Sequence, residues 1–185
     1  MKKNIMLDLE TLGKEPKSII VSIGAVEFSE TEVTENKFYI NIDPEDCQSY
    51  GLKINASTFL WWMGQSEAAR LAITDSKKVK LKEALISFSS WLLLEMGPMD
   101  SSKDDVIVWG NGADFDNTIL SSSYSETGLE QPWSFRNNRC YRTIKNLSPD
   151  IRIETSGTRH NALDDAVSQA HHLIKIFSNN SLKIN

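Results

Sequence analysis

Asp8 and Glu10 stand two residues apart within the mostly apolar run Ile5-Met6-Leu7-Asp8-Leu9-Glu10. In an extended chain both carboxylates leave the same face, roughly 6–7 Å apart at the backbone. On the cleft face of a sheet such a pair is costly unless it is paired or bound to a cation. Hard divalent cations take oxygen ligands of this kind. The spacing alone says little, because Glu30/Glu32, Asp43/Glu45 and Asp114/Asp116 repeat it. The first pair differs in lying inside an apolar strand.

Two later stretches add groups of the same chemistry. Trp109-Gly110-Asn111-Gly112-Ala113-Asp114-Phe115-Asp116 reads as a strand-to-helix turn, which places an acid at the rim of a sheet. Locally, either Asp114 or Asp116 fits, and Asp114 also suits a helix N-cap. His160-Asn161-Ala162-Leu163-Asp164-Asp165-Ala166 opens a final helix. A helical wheel leaves Asp164 and Asp165 equivalent, each just beyond one edge of the apolar stripe. Acids in a first turn are favoured by the helix dipole in any case.

The elements that must position these groups follow from periodicity. Asn4–Leu9 reads as a strand with Ile5, Leu7 and Leu9 on one face and Met6, Asp8 and Glu10 on the other. A turn at Gly13–Ser18 leads to β-rich runs at Ile19–Phe28 and Val33–Ile42, paired as a hairpin. Ser57–Ala72 predicts short helices, the second starting near Ser66. Lys78–Met96 predicts a longer helix burying Leu81, Ala84, Leu85, Phe88, Trp91 and Leu92, stopped by Gly97-Pro98. After a loop at Asp100–Asp105, Val106–Trp109 has the unbroken apolar character of a buried strand. A helix from about Asp114 to Tyr124, a short strand at Cys140-Tyr141 and a small helix near Thr143–Leu147 follow. Residues Ser148–Arg159 read as loop, and Asn161–Phe177 as a helix with Ala162, Ala166, Ala170, Leu173, Ile174 and Phe177 on one face. This order predicts an α/β fold: an RNase H-like mixed sheet flanked by helices, rather than a purely parallel one. A length of 185 residues predicts a single domain spanning residues 1–185.

Net charge is −5, which excludes binding of nucleic acid through a global positive field. The charge is segregated, however. Glu95–Gln131 carries eight acids against Lys103 alone, whereas Trp133–His160 carries Arg136, Arg139, Arg142, Lys145, Arg152 and Arg159 against Asp150 and Glu154. An acidic centre beside a basic flank suits a metal site facing a phosphate backbone. Cys47 and Cys140 have no metal-ligand spacing and form no disulfide framework. With no apolar run of membrane-spanning length and no apolar leader, the expectation is a cytoplasmic protein without membrane contact.

Taken in order, Asp-x-Glu in a first strand, Phe-Asp after a central strand and His-x-x-x-x-Asp at a last helix resemble the DEDDh (DnaQ-like) 3'-5' exonucleases. That superfamily includes the proofreading subunit of bacterial replicative polymerase, RNase T and oligoribonuclease. The resemblance runs from Leu7-Asp8-Leu9-Glu10-Thr11 to His160–Ala166 and selects Asp116 and Asp165. It implies two divalent cations, Mg²⁺ or Mn²⁺, held by Asp8, Glu10, Asp116 and Asp165, with His160 as the general base. Thr58–Arg70 and Trp109-x-x-Gly-x-x-Phe-Asp-x-x-Ile-Leu look like segments of bacteriophage-type exodeoxyribonucleases similar to DexA. From this resemblance Thr11 and Leu12 are expected at the terminal nucleotide, with Asn111 and Phe115 nearby. Trp61 and Trp62 would form an aromatic wall where base stacking contributes about 1–3 kcal/mol, although core packing is expected of at least one of them. Arg136, Arg139, Arg142 and Arg159 are the expected backbone contacts. The implied substrate is DNA with a free 3' end; the alternative is RNA, cut as by RNase T or oligoribonuclease. A nucleic-acid-binding module without catalysis is a third reading. Similar enzymes include monomers and homodimers.

Overall fold

The structure is a computed structural model and describes residues 2–74, 77–94, 103–112 and 114–180. Strands β1 (Lys3–Thr11), β2 (Ile20–Phe28) and β3 (Val33–Asn41) form an antiparallel meander. β4 (Val106–Gly110) joins β1 in parallel, and β5 (Asn138–Cys140) extends the sheet in parallel to β4, giving the order β3-β2-β1-β4-β5. Around it lie α1 (Pro44–Ser49), α2 (Ala56–Met63), α3 (Glu67–Thr74), α4 (Leu81–Leu94), α5 (Asp116–Glu126), α6 (Tyr141–Leu147) and α7 (Ala162–Asn179). No helix among the described residues is long and apolar enough to cross a membrane. This is the mixed α/β architecture that the meander and the later alternation of elements predict.

The period of two along β1 divides the core. Ile5, Leu7 and Leu9 join one cluster with Leu81, Leu85 and Phe88 of α4 and Ile119 and Leu120 of α5. Met6 faces the other way, into a cluster with Val26, Phe28, Trp109 and the α7 residues Ala166, Ala170 and Leu173. Asp8 and Glu10 continue the Met6 row past the end of this second cluster, so their carboxyls emerge beside the start of α7. Small residues on α7 let it lie close on β1 and β2. The start of α7 comes close to the sheet at Gly24, which pairs with Asp8 across the β1–β2 ladder. A Cβ at Gly24 would overlap the backbone of Ala162 and Leu163.

Several expected boundaries move for local reasons. Helix α1 was not foreseen; Asp43 caps it by accepting the Glu45 N–H at 2.9 Å, and Pro44 opens it. Helix α4 begins at Leu81 rather than Lys78, because Val79 bridges Ile42 and the Asp46 carboxylate accepts the Leu81 N–H at 2.8 Å. The expected end at Met96, the Gly97-Pro98 stop and the start of the Asp100–Asp105 loop lie outside the described residues. Lys103–Asp105 forms a 3-10 turn. Helix α5 starts at Asp116, with Phe115 at the N-cap and no side-chain cap bond, so Asp114 is not the cap. On α7, Ile176 is fully buried while Ile174 only leans on the core.

Substituting Gly24→Ala should therefore separate α7 from β2 and cost about 1–3 kcal/mol or more, the usual effect of overpacking. Gly64→Ala, where a Cβ meets nothing closer than a carbonyl oxygen at 3.4 Å, is expected to be nearly neutral. Urea unfolding of the two variants measures the difference.

Candidate active site

Three elements deliver carboxylates to one place. Asp8 and Glu10 come from the C-terminal half of β1, where the register shifts between Glu10 and Thr11. Asp116 is the first residue of α5, just past β4; its carboxylate accepts the Leu9 N–H at 3.1 Å and the Asn111 N–H at 2.6 Å, tying β1 to the β4–α5 turn. Asp165 lies in the first turn of α7, which Asn161 caps by accepting the Leu163 and Asp164 N–H groups. The Asp165 carboxylate accepts the His160 N–H at 2.9 Å. Its neighbour Asp164 turns the other way and accepts the Thr158 N–H at 2.7 Å, fixing the approach to the helix. His160 has φ +63°, the only non-glycine residue in the left-handed region among those described. One ligand atom each from Glu10, His160 and Asp165 all lie within 4.8 Å of one another.

The electrostatics are those of crowded, desolvated acids. Burial holds the Asp8 carboxyl well above the ordinary range, reinforced by Asp116, Glu10 and Asp165 and opposed by a hydrogen bond from Gln169. Burial, then Asp165 and Asp116, raise Glu10 to about 8. Asp116 is raised to about 6 by burial, against the opposing pull of the Asn111 and Leu9 N–H groups and of Arg142. Burial also raises Asp165, while the His160 N–H, the charge of His160 and Arg159 pull it down. Among the described residues no lysine or arginine closes a salt bridge on any of these four acids.

Two further observations bear on whether a cation fits. The carbonyl oxygen of Gln169 and the hydroxyl of Ser22 are buried without a hydrogen-bond partner. Gln169 donates its Nε2–H to Asp8 at 2.7 Å, and Ser22 pairs with Glu10 across the β1–β2 ladder. Anionic oxygens gathered beside unsatisfied neutral ones fit hydrated, hard divalent cations.

The expected substrate residues separate into two groups. Trp61 is 46% exposed and meets the His160 ring edge-on, with centroids 5.0 Å apart. Trp62 is 1% exposed and donates its indole N–H to the Thr11 carbonyl at 2.9 Å. Core packing was expected of at least one tryptophan, and Trp62 takes that place. Leu12 is 8% exposed and lies in the main core, so it offers an edge rather than a protruding side chain. Phe115 leans on the same core, and Asn111 contributes its backbone N–H to Asp116. Of the arginines, Arg142 lies near Asp116 and Arg159 near Asp165, whereas the Arg139 guanidinium donates to the Arg136 and Asn138 carbonyls. Gln169 was missed in the sequence; the available signal was its place one helical turn after Asp165, on the same face.

Comparison with known proteins gives a consistent frame. Residues 3–177 match the family described as 3'-5' exoribonuclease Rv2179c-like domain. No curated protein sequence matches the chain. The nuclease domain of 3'hExo, a DEDDh family member bound to rAMP, superposes with a TM-score of 0.65 at 14% identity, covering 100% of this chain and 96% of that one. E. coli Exonuclease I in complex with a dT13 oligonucleotide gives a TM-score of 0.66 at 13% identity, covering 98% of this chain but only 42% of that one. Cell-death related nuclease 4 (CRN-4) gives 0.56 at 11%, covering 97% and 64%. At these identities the likeness shows a shared fold.

The raised acids have a thermodynamic consequence for the metal-free protein. Each binds a proton in the folded state at a pH where the unfolded chain has released it, so stability falls as pH rises from the ordinary carboxylate range, about 4, through about 8. In EDTA the melting temperature should drop by about 3 °C or more between pH 5.5 and pH 8. Mg²⁺ or Mn²⁺ should restore more at pH 8 than at pH 5.5. Thermal melts in the two buffers, with and without cation, check both.

Proposed function

Because the chain belongs to the 3'-5' exoribonuclease Rv2179c-like domain family, we propose that residues 1–185 act as one exonuclease domain of the DEDDh type. It removes nucleotides from the 3' end of a single-stranded nucleic acid and releases nucleoside 5'-monophosphates. The observation that carries this reading is the convergence of Asp8, Glu10, Asp116 and Asp165 from three elements, with His160 beside two of them.

Asp8, Glu10, Asp116 and Asp165 would hold two divalent cations, Mg²⁺ or Mn²⁺, which when bound acidify the attacking water and stabilise the leaving 3' oxygen. His160 accepts the proton of that water on a ring nitrogen, the role of a general base placed beside the ligand atoms of Glu10 and Asp165. The bond from phosphorus to the bridging 3' oxygen breaks, leaving a chain one nucleotide shorter with a free 3' hydroxyl. Gln169 holds Asp8, and the Leu9 and Asn111 N–H groups hold Asp116, so the ligands are oriented before substrate arrives. Arg142 and Arg159 flank the acids, where they can meet phosphate oxygens.

RNA is the polymer favoured here, on the description of the matched family. The expectation of DNA rested on the likeness of the Trp-Trp segment to bacteriophage-type exodeoxyribonucleases. The one exposed ring of that segment, Trp61, could stack on a base of either polymer, so DNA stands as the second reading.

Matched 5'-labelled single-stranded RNA and DNA oligonucleotides with Mg²⁺ or Mn²⁺ provide the test. The expected result is a ladder shortening from the 3' end, faster on RNA, and abolished by EDTA and by Asp8→Asn. His160→Ala should lower kcat by about 10²–10⁴ with little change in KM. A ladder on DNA alone would keep the reaction and overturn the polymer. No ladder from a folded protein would overturn the reaction itself.

A further inference from the structure

We propose that Trp61 is a positioning residue for His160: its ring, backed by Trp62, sets the orientation of the imidazole that faces Glu10 and Asp165. The reading of His160 as general base underlies the catalytic half of this inference; the structural half stands without it.

The backbone of His160 is well determined. Its left-handed φ of +63° is unfavourable for a residue with a Cβ, and the bond from its N–H to the Asp165 carboxylate holds it there. The Asn161 N–H adds a bond back to the Thr158 carbonyl at 3.2 Å. None of this fixes the side-chain torsions. Among the described residues no hydrogen bond reaches either ring nitrogen of His160, unlike His172, whose two nitrogens meet the Tyr141 hydroxyl and the Ile151 carbonyl at 2.7 Å each. Two indoles meet the His160 ring. Trp61 meets it at 5.0 Å between centroids with planes at 86°, and Trp62 at 6.0 Å with planes at 78°. Both are edge-to-face arrangements, which ring quadrupoles favour.

The two tryptophans are themselves anchored to the strand that carries the acids. Trp62 packs edge-on against Trp61 at 5.0 Å and donates to the Thr11 carbonyl. Asn55, which caps α2, donates its backbone N–H to the Leu12 carbonyl at 2.7 Å. Helix α2 is thereby registered on the end of β1 and the residue after it, one and two residues beyond Glu10. The ring of a histidine on a loop is thus referenced, through two indoles, to the same strand that presents Asp8 and Glu10. Trp61 remains half exposed, so its removal leaves the core intact.

A chain with His160, His171 and His172 as its histidines allows a direct test by NMR of the protein labelled with ¹³C-histidine, His160→Ala assigning the signal. In Trp61→Ala the ring signals of His160 should lose their ring-current displacement and move toward free-histidine positions. The His172 signals should stay in place, reporting an intact fold. On a single-stranded oligonucleotide, kcat should fall by about three- to tenfold, the scale of one aromatic contact, with KM changed less. Trp61→Phe should recover most of both effects. Unmoved His160 signals in Trp61→Ala would overturn the proposal, and so would a rise in KM with kcat unchanged, the mark of a wall for substrate bases. Should the wild-type protein hydrolyse neither polymer, the reaction falls while the NMR result still decides whether Trp61 holds the ring.

Discussion

Four carboxyl groups brought into one desolvated cleft repel one another, and each loses the water that would stabilise its charge. The raised positions of Asp8 and Glu10 record both effects, and those of Asp116 and Asp165 record burial first. A fold tolerates such a cluster only if its elements are held rigidly enough to keep the groups together. The parallel pairing of β1 with β4 brings the β4–α5 turn to the acids of β1. Gly24 lets the start of α7 settle over the same strand. A small change in either contact would move a carboxylate out of the cluster.

Within that frame the acids and the histidine are held by different means. Asp116 is held by two backbone N–H groups, Asp8 by a side-chain amide and Asp165 by the N–H of His160. Leu9 lies on β1 and Gln169 within α7, whereas the Asn111 and His160 N–H groups come from the turns that lead into α5 and α7. Among the described residues the His160 ring has no such donor or acceptor, and it sits on a loop before α7. Facing Glu10 and Asp165, it is met edge-on by two indoles from α2. Hydrogen bonds thus hold three of the acids, and ring contacts meet the histidine.

Much of this was legible in the sequence because it follows from short-range periodicity. Alternation placed Met6, Asp8 and Glu10 on one face of a strand, and the apolar stripe of the final helix placed Asp165 near its start. The choice between Asp164 and Asp165 was not legible locally. It depends on where the Thr158 and His160 N–H groups point, which the fold decides. Likewise Asp114 has the composition of an N-cap, yet the turn places Phe115 there and sends Asp116 to Leu9, a contact across 107 residues. The adjacent tryptophans could not be told apart by type; one is core and the other faces His160 because α2 presents them on different sides. The displaced start of α4 has the same origin, since the bridge between Val79 and Ile42 is a long-range contact that overrides helix propensity.

On the function proposed above, these four acids form one cation site rather than a set of neutralised groups. Manganese EPR of the full chain tests it most directly. Binding of two Mn²⁺ ions per chain with the spin coupling of neighbouring ions, lost in a folded Asp8→Asn variant, is the result the geometry predicts. Binding of isolated ions that Asp8→Asn leaves unchanged, or no binding at all, would contradict it.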